Sequence, residues 1–221
     1  MICLSNINKS YVFGKTRIDV LKGLNLNLAE GEMACLMGPS GSGKTTLLNI
    51  IGGLDTVDSG TVLIDNTDIT KLGDRQMSSF RNRMMGFVFQ SFNLIPVLNT
   101  YENVEYPLLL LKIGPKERKE RVDAMLEAVE LGKFRRHKPD EMSGGQRQRI
   151  AIARAIVTHP RIIMADEPTA NLDHKTGTAI MELMKKLNET RQTTFLFSTH
   201  DPLVSQYAER TINLLDGAIT H

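Results

Sequence analysis

The stretch Gly38-Pro39-Ser40-Gly41-Ser42-Gly43-Lys44-Thr45 constrains this chain more than any other feature. It matches G-x-x-x-x-G-K-[ST], a loop that cradles phosphate groups. The spacing follows from the chemistry. Glycines let successive backbone N–H groups turn inward onto phosphate oxygens. A helix opening near Lys44 adds the positive end of its dipole. Lys44 brings a point charge to the β- and γ-phosphates, and the Thr45 hydroxyl is placed to ligate Mg2+. The alternative is a flexible Gly/Ser turn, but a chance match in a chain this long is on the order of one per cent from average residue frequencies. The context also fits. The apolar run Met33–Met37 suits a strand buried on both faces, and Lys44–Ile51 reads as the helix that follows.

The remainder alternates strands with helices. Residues 25–28 alternate polar and apolar as a half-buried strand does, and 60–69 reads as a hairpin. Over 115–130, Val122, Met125, Leu126 and Val129 fall at i, i+3, i+4 and i+7, an amphipathic helix with Pro115 in its first turn and Gly132 as its stop. The mixed charges of Lys116, Glu117, Arg118, Lys119, Glu120 and Arg121 read as its solvated face. A further helix begins at a polar cap over 143–157. Strands follow over 161–165 and 194–197, with a helix over 175–188 between them. Such alternation predicts an α/β fold with a mostly parallel sheet and helices on both faces, into which a helical middle is inserted.

Two other segments carry chemistry. The apolar strand Ile162-Ile163-Met164-Ala165 runs straight into Asp166-Glu167. Paired carboxylates there suit a cation or a reaction: Asp166 to hold Mg2+, directly or through water, and Glu167 to polarise the water that attacks the γ-phosphate. A strand-end turn is the plainer alternative, and the phosphate loop weighs against it. The second segment is Met142-Ser143-Gly144-Gly145-Gln146. Ser143 with Gln146 forms a capping box. Capping leaves Gly144 and Gly145 unexplained, because each costs helix stability. A helix start stripped of side chains is an anion site. As the chain already has one phosphate site, this second one points to the nucleotide of another molecule.

Taken together, the phosphate loop, the MSGGQ helix start and the strand ending in Asp-Glu resemble the nucleotide-binding subunits of ABC transporters, over essentially the whole chain. The resemblance implies a P-loop NTPase core with a mostly parallel sheet, an antiparallel β subdomain and an inserted helical subdomain. It implies one ABC ATPase domain over 1–221, with the core at 1–90 and 158–221 and the helical subdomain at about 91–157. It further implies that Tyr11 stacks on adenine, the loop from Gly38 to Thr45 together with Thr46 holds the phosphates, and Gln90 touches Mg2+ and water. His200 matches the histidine that contacts the γ-phosphate, and Asp173, in Asn171-Leu172-Asp173, belongs to a loop that crosses a dimer interface. Ser143, Gly144, Gly145 and Gln146 are then expected on the ATP of a second copy. Met142 departs from the family's usual Leu, a swap of similar apolar volume. Within the family, the runs 47–55, 92–96 and 102–108 resemble the branch of lipoprotein-releasing, macrolide-exporter and cell-division subunits.

The expected function is an ATP-hydrolysing transporter subunit that uses ATP and Mg2+. Its expected partners are a second copy and an integral membrane permease-type subunit, at the cytoplasmic face of the inner (plasma) membrane. Composition agrees where it speaks. With 27 basic against 25 acidic residues, nothing suggests a nucleic-acid surface. Cys3 and Cys35 form no CxxC pair and read as reduced thiols. Residues 1–10 lack the apolar core of a signal peptide, and no run of 18 apolar residues occurs. The alternative is a soluble ABC-type ATPase of DNA repair or translation. Against it stand the absent zinc-type cysteines, the single motor unit and the short interval between Gln90 and Ser143.

Overall fold

Hydrogen bonding sorts the strands into two sheets in the computed structural model, which describes residues 1–220. The first is antiparallel, in the order β2-β1-β4-β5: β1 (Ile2–Phe13), β2 (Thr16–Leu28), β4 (Ser59–Ile64) and β5 (Thr67–Asp68). The second runs β10-β9-β3-β8-β7-β6. In it β3 (Met33–Met37), β6 (Met85–Val88), β7 (Ile162–Asp166), β8 (Thr194–Ser198) and β9 (Arg210–Leu215) are parallel, and β10 (Ala218–Thr220) adds an antiparallel edge. The helices are α1 (Lys44–Ile51), α2 (Asp74–Met84), α3 (Thr100–Leu110), α4 (Pro115–Ala128), α5 (Gly144–Ile156), α6 (His174–Arg191) and the short α7 (Pro202–Ser205).

The parallel strands read as unbroken apolar runs because both faces are covered. Their side chains alternate between two cores. Met33, Cys35, Ile163, Ala165, Phe195 and Phe197 join one, with residues of α3, α4, α5 and α6. Ala34, Leu36, Ile162, Met164 and Leu196 join the other, with α1 and the inner face of the antiparallel sheet. Phe195 and Phe197 are fully buried and stack at 5.7 Å between centroids. Each such side chain contributes about 1.5–3 kcal/mol by its burial.

The helix expected over 115–130 ends at Ala128. Glu130 takes a left-handed φ of 61°, and the Leu131 N–H returns to the Leu126 carbonyl at 2.8 Å. Its pattern residues Val122, Met125, Leu126 and Val129 are all buried. No helix among the described residues is long and apolar enough to cross a membrane.

Candidate active site

The phosphate loop leaves β3 at Met37 and enters α1 at Lys44. Gly38 has no alternative, because a Cβ there would lie 2.1 Å from the Leu214 carbonyl oxygen of the neighbouring β9. Gly43 caps α1 at φ 105° and offers no side chain. The first-turn N–H groups of α1 are therefore free of any side-chain cap, as an anion site requires. The Lys44 ammonium donates to the carbonyls of Gly38 (2.7 Å) and Pro39 (3.0 Å), which holds it across the loop. Ser42 is buried, and its hydroxyl has no partner among the described residues.

Asp166 and Glu167 stand at the end of β7, one strand removed from β3. Burial pushes the Asp166 carboxyl up. The neighbouring Glu167 charge adds to the shift, while Ser198, the Lys44 charge and Thr45 pull the other way without reversing it. Glu167 adopts a left-handed φ of 46°, unusual for a residue with a side chain, and its N–H donates to the Ser198 carbonyl at 2.8 Å. Both of its oxygens are engaged. Oε2 accepts from the buried Thr199 hydroxyl at 2.7 Å, and Oε1 meets His200 Nδ1 at 2.7 Å. Glu167 is largely buried and His200 largely exposed, at 15% and 78% of the side chain. The histidine is thus an exposed outer group on an anchored carboxylate.

One cleft of ≈ 760 Å³ gathers Tyr11, the phosphate loop, Thr46, Gln90, Asp166, Glu167 and His200. Tyr11 lines it, with its hydroxyl on Asp55. The cleft also takes in Phe13, Val20 and Ser198, which sequence reading did not single out. Phe13 was detectable: two residues beyond Tyr11, it shares that residue's face of β1. Ser198 was not, since only the β7–β8 register sets it opposite Asp166. Thr45, Gln90 and Asp166 offer hydroxyl, amide and carboxylate oxygens, hard donors that suit Mg2+. Among the described residues no three of His, Cys, Asp and Glu cluster as metal ligands. Such a donor set fits an ion held mainly by substrate oxygens and water.

Ser143, Gly144, Gly145, Gln146 and Asp173 lie outside this cleft, as a second patch. The capping box is present: Ser143 Oγ accepts from the Gln146 N–H at 3.3 Å, and Gln146 Oε1 accepts from the Ser143 N–H at 2.9 Å. Asp173 caps α6, taking bonds from the Thr176 N–H (3.0 Å) and hydroxyl (2.7 Å) that pull its carboxyl below the ordinary range. The patch is tied to the cleft by Asn171, whose side-chain amide donates to the Gln90 carbonyl at 2.8 Å. The two glycines differ. A Cβ at Gly144 would meet nothing closer than 3.6 Å, whereas one at Gly145 would lie 2.4 Å from Thr176 Cγ2. Gly145 is therefore required by packing within the chain, and Gly144 by nothing within it.

That difference predicts a stability effect. Ala is normally better than Gly inside a helix by about 1 kcal/mol. At position 145 the clash with a branched side chain held by Asp173 outweighs this, so Gly145→Ala is expected to cost about 1–3 kcal/mol in urea unfolding. Adding Thr176→Ser, which deletes the offending methyl and keeps the bond to Asp173, restores most of the loss. A Gly145→Ala protein as stable as the wild type contradicts this account.

A parallel sheet ending in a phosphate loop, with paired carboxylates at the tip of a nearby strand, defines a P-loop nucleotide-binding protein. Residues 21–170 match the family model for ABC transporters. The chain belongs to the ABC transporter family. It is 49% identical over 219 residues to the uncharacterised ABC transporter ATP-binding protein YknY of Bacillus subtilis, covering 99% of this chain and 95% of that one. It is 44% identical to the lipoprotein-releasing system ATP-binding protein LolD of Pseudomonas syringae pv. tomato, covering 97% and 94%. The fold agrees at a TM-score of 0.93 and 48% identity with the dimeric post-hydrolysis structure of the ATP-binding cassette MJ0796 of Methanocaldococcus jannaschii, bound to ADP and Pi. That alignment covers 100% of this chain and 97% of the other. The α/β fold and the family, with LolD among its relatives, are thus as the sequence motifs imply.

Proposed function

We propose that this chain is the ATP-binding and ATP-hydrolysing subunit of an ABC transporter complex, which dimerises on ATP to drive a membrane partner in export, lipoprotein release or mechanical transmission. The observation that carries this reading is the division of the site. One cleft holds the phosphate loop, the carboxylates and Tyr11, while Gly144 sits in the first turn of a separate helix with nothing in the chain to require it. Two copies meeting head to tail bring the Ser143–Gln146 start of each onto the ATP held by the other, and Asp173 lies at the crossing.

In this reading Tyr11 stacks on the base, and the loop from Gly38 through Thr46 takes the phosphates. Glu167 accepts a proton from the attacking water, held for that task by Thr199. His200 reaches outward to the γ-phosphate. Thr45, Gln90 and Asp166 would hold Mg2+, which when bound neutralises charge on the β- and γ-phosphates. The region of about 91–157 acts as the helical subdomain, moved against the core at 1–90 and 158–221. No nucleic-acid partner is expected.

The membrane partner has a place to dock. A groove of ≈ 390 Å³ between β6 and α3 exposes Leu54, Tyr106 and Leu110, at 50%, 41% and 51%. It adjoins the segment that follows Gln90, so movement at the nucleotide reaches it directly. The subunit would sit as a peripheral protein on the cytoplasmic face of the inner (plasma) membrane. Purification of the native complex tests this reading: a permease-type membrane subunit is expected to accompany the chain, with MgATP hydrolysis. Leu110→Glu is expected to abolish that association and leave hydrolysis by the isolated chain in place. A complex that forms equally well with Leu110→Glu counts against the groove, and one lacking any membrane subunit counts against the transporter reading.

A further inference from the structure

The run 47–55 has no part in the chemistry described so far, yet its last residue touches Tyr11. Helix α1 spans eight residues, about 12 Å, from the phosphate loop to Ile51. Beyond it, the N–H groups of Leu54 and Asp55 both return to the Asn49 carbonyl, at 2.8 and 3.2 Å. Asp55 is therefore fixed to the last turn of the helix whose first turn faces the phosphates. Its carboxylate reaches across to β1. Oδ2 accepts the Tyr11 hydroxyl at 2.5 Å, and Oδ1 accepts the Lys9 ammonium at 2.7 Å and the Thr56 N–H at 2.7 Å.

Lys9 completes the arrangement. It is buried, donates also to the Thr56 carbonyl at 2.7 Å, and stands 5.0 Å from the centroid of the Tyr11 ring. Ser10, between them, is pinned by Asp58, which accepts from its N–H (2.8 Å) and hydroxyl (2.6 Å). Burial acts to raise the Asp55 carboxyl, but the bonds from Lys9, Tyr11 and Thr56 outweigh it and keep the group below its ordinary range. It is thus ionised at neutral pH and accepts from both partners at once. A ring held at its hydroxyl and flanked by a cation loses little further freedom when a base stacks on it.

We infer that Asp55 is a positioning residue for nucleotide binding: it locks the Tyr11 ring to the far end of α1, so that one short helix sets the distance between base platform and phosphate loop. The inference rests on the reading of Tyr11 as the surface on which adenine stacks. It predicts that Asp55 acts on affinity, through Tyr11, and not on the chemical step.

The test measures kcat and KM for MgATP, with thermal unfolding as a control, on the purified chain and on Tyr11→Ala, Tyr11→Phe, Asp55→Asn and the double variants. Loss of stacking in Tyr11→Ala is expected to raise KM about tenfold or more. Asp55→Asn is expected to raise KM about two- to tenfold with kcat nearly unchanged. Tyr11→Phe, which keeps the ring and removes only the bond, is expected to reproduce that rise even if Asp55→Asn folds poorly. Asp55→Asn adds nothing further in the Tyr11→Ala background. An unchanged KM in Tyr11→Ala overturns the stacking reading and the inference with it. If Tyr11→Ala raises KM while Asp55→Asn and Tyr11→Phe do not, the inference alone fails. It fails too if Asp55→Asn raises KM equally in both backgrounds, or lowers kcat in place of affinity.

Discussion

Glu167→Gln is expected to slow ATP hydrolysis by about a hundredfold or more while ATP still binds, and to accumulate an ATP-bound dimer. The change is small in shape. A glutamine oxygen can still accept from Thr199, and its amide group can still face His200. What disappears is a base able to take a proton from water, a function worth about 10²–10⁴-fold. A negative charge is also removed from beside the γ-phosphate position and from beside Asp166, whose carboxyl that charge helps to push up. Binding is therefore eased while the step that opens the dimer is blocked. Gel filtration with MgATP is expected to show a species of twice the chain mass for Glu167→Gln. A monomer under those conditions, or hydrolysis at the wild-type rate, sinks the assignment of Glu167 as the base.

The second large effect concerns the shared site. Lys44→Ala removes the point charge at the phosphate loop, and Ser143→Arg fills the approach to the second helix start, so each protein alone is expected to be nearly inactive. Mixed in equal amounts they regain activity if sites are composite. Half the dimers are then mixed, and each mixed dimer pairs one intact phosphate loop with one intact Ser143, giving about a quarter of wild-type turnover. A site contained within a single chain allows no recovery at all. The result is decisive because the two substitutions lie on surfaces that the fold keeps apart: Lys44 lines the cleft and Ser143 does not.

Legibility followed the range of the interactions. The phosphate loop, β7 with its two carboxylates and the capped start of α5 were readable because their chemistry is local, written within five to eight consecutive residues. α4 was readable from periodicity, although the pattern runs two residues past its end at Ala128. α2 and α3 were not assigned. α2 buries only Met77 fully, so it shows no apolar stripe, and α3 carries Pro107 inside a stretch that is apolar on several sides. Its capping box, Asn99 with Glu102, was a usable signal all the same. Ser198 and Thr199 stayed hidden because their importance depends on which strand lies beside β7.

By itself, then, the sequence determined the family to which its motifs point, the alternation that gives a parallel sheet, and the two glycine-bearing helix starts. Those follow from backbone freedom at glycine, side-chain charge and hydrophobic period, all properties of near neighbours along the chain. The tertiary structure alone decided which residues share a cleft. It set β8 between β3 and β7, brought Thr199 and His200 onto Glu167, separated Ser143 from Lys44, and gave the two adjacent glycines different reasons to exist. It also joined Asp55 to Tyr11 across 44 residues of chain. Contacts of that range depend on strand order and helix packing, which no local pattern encodes.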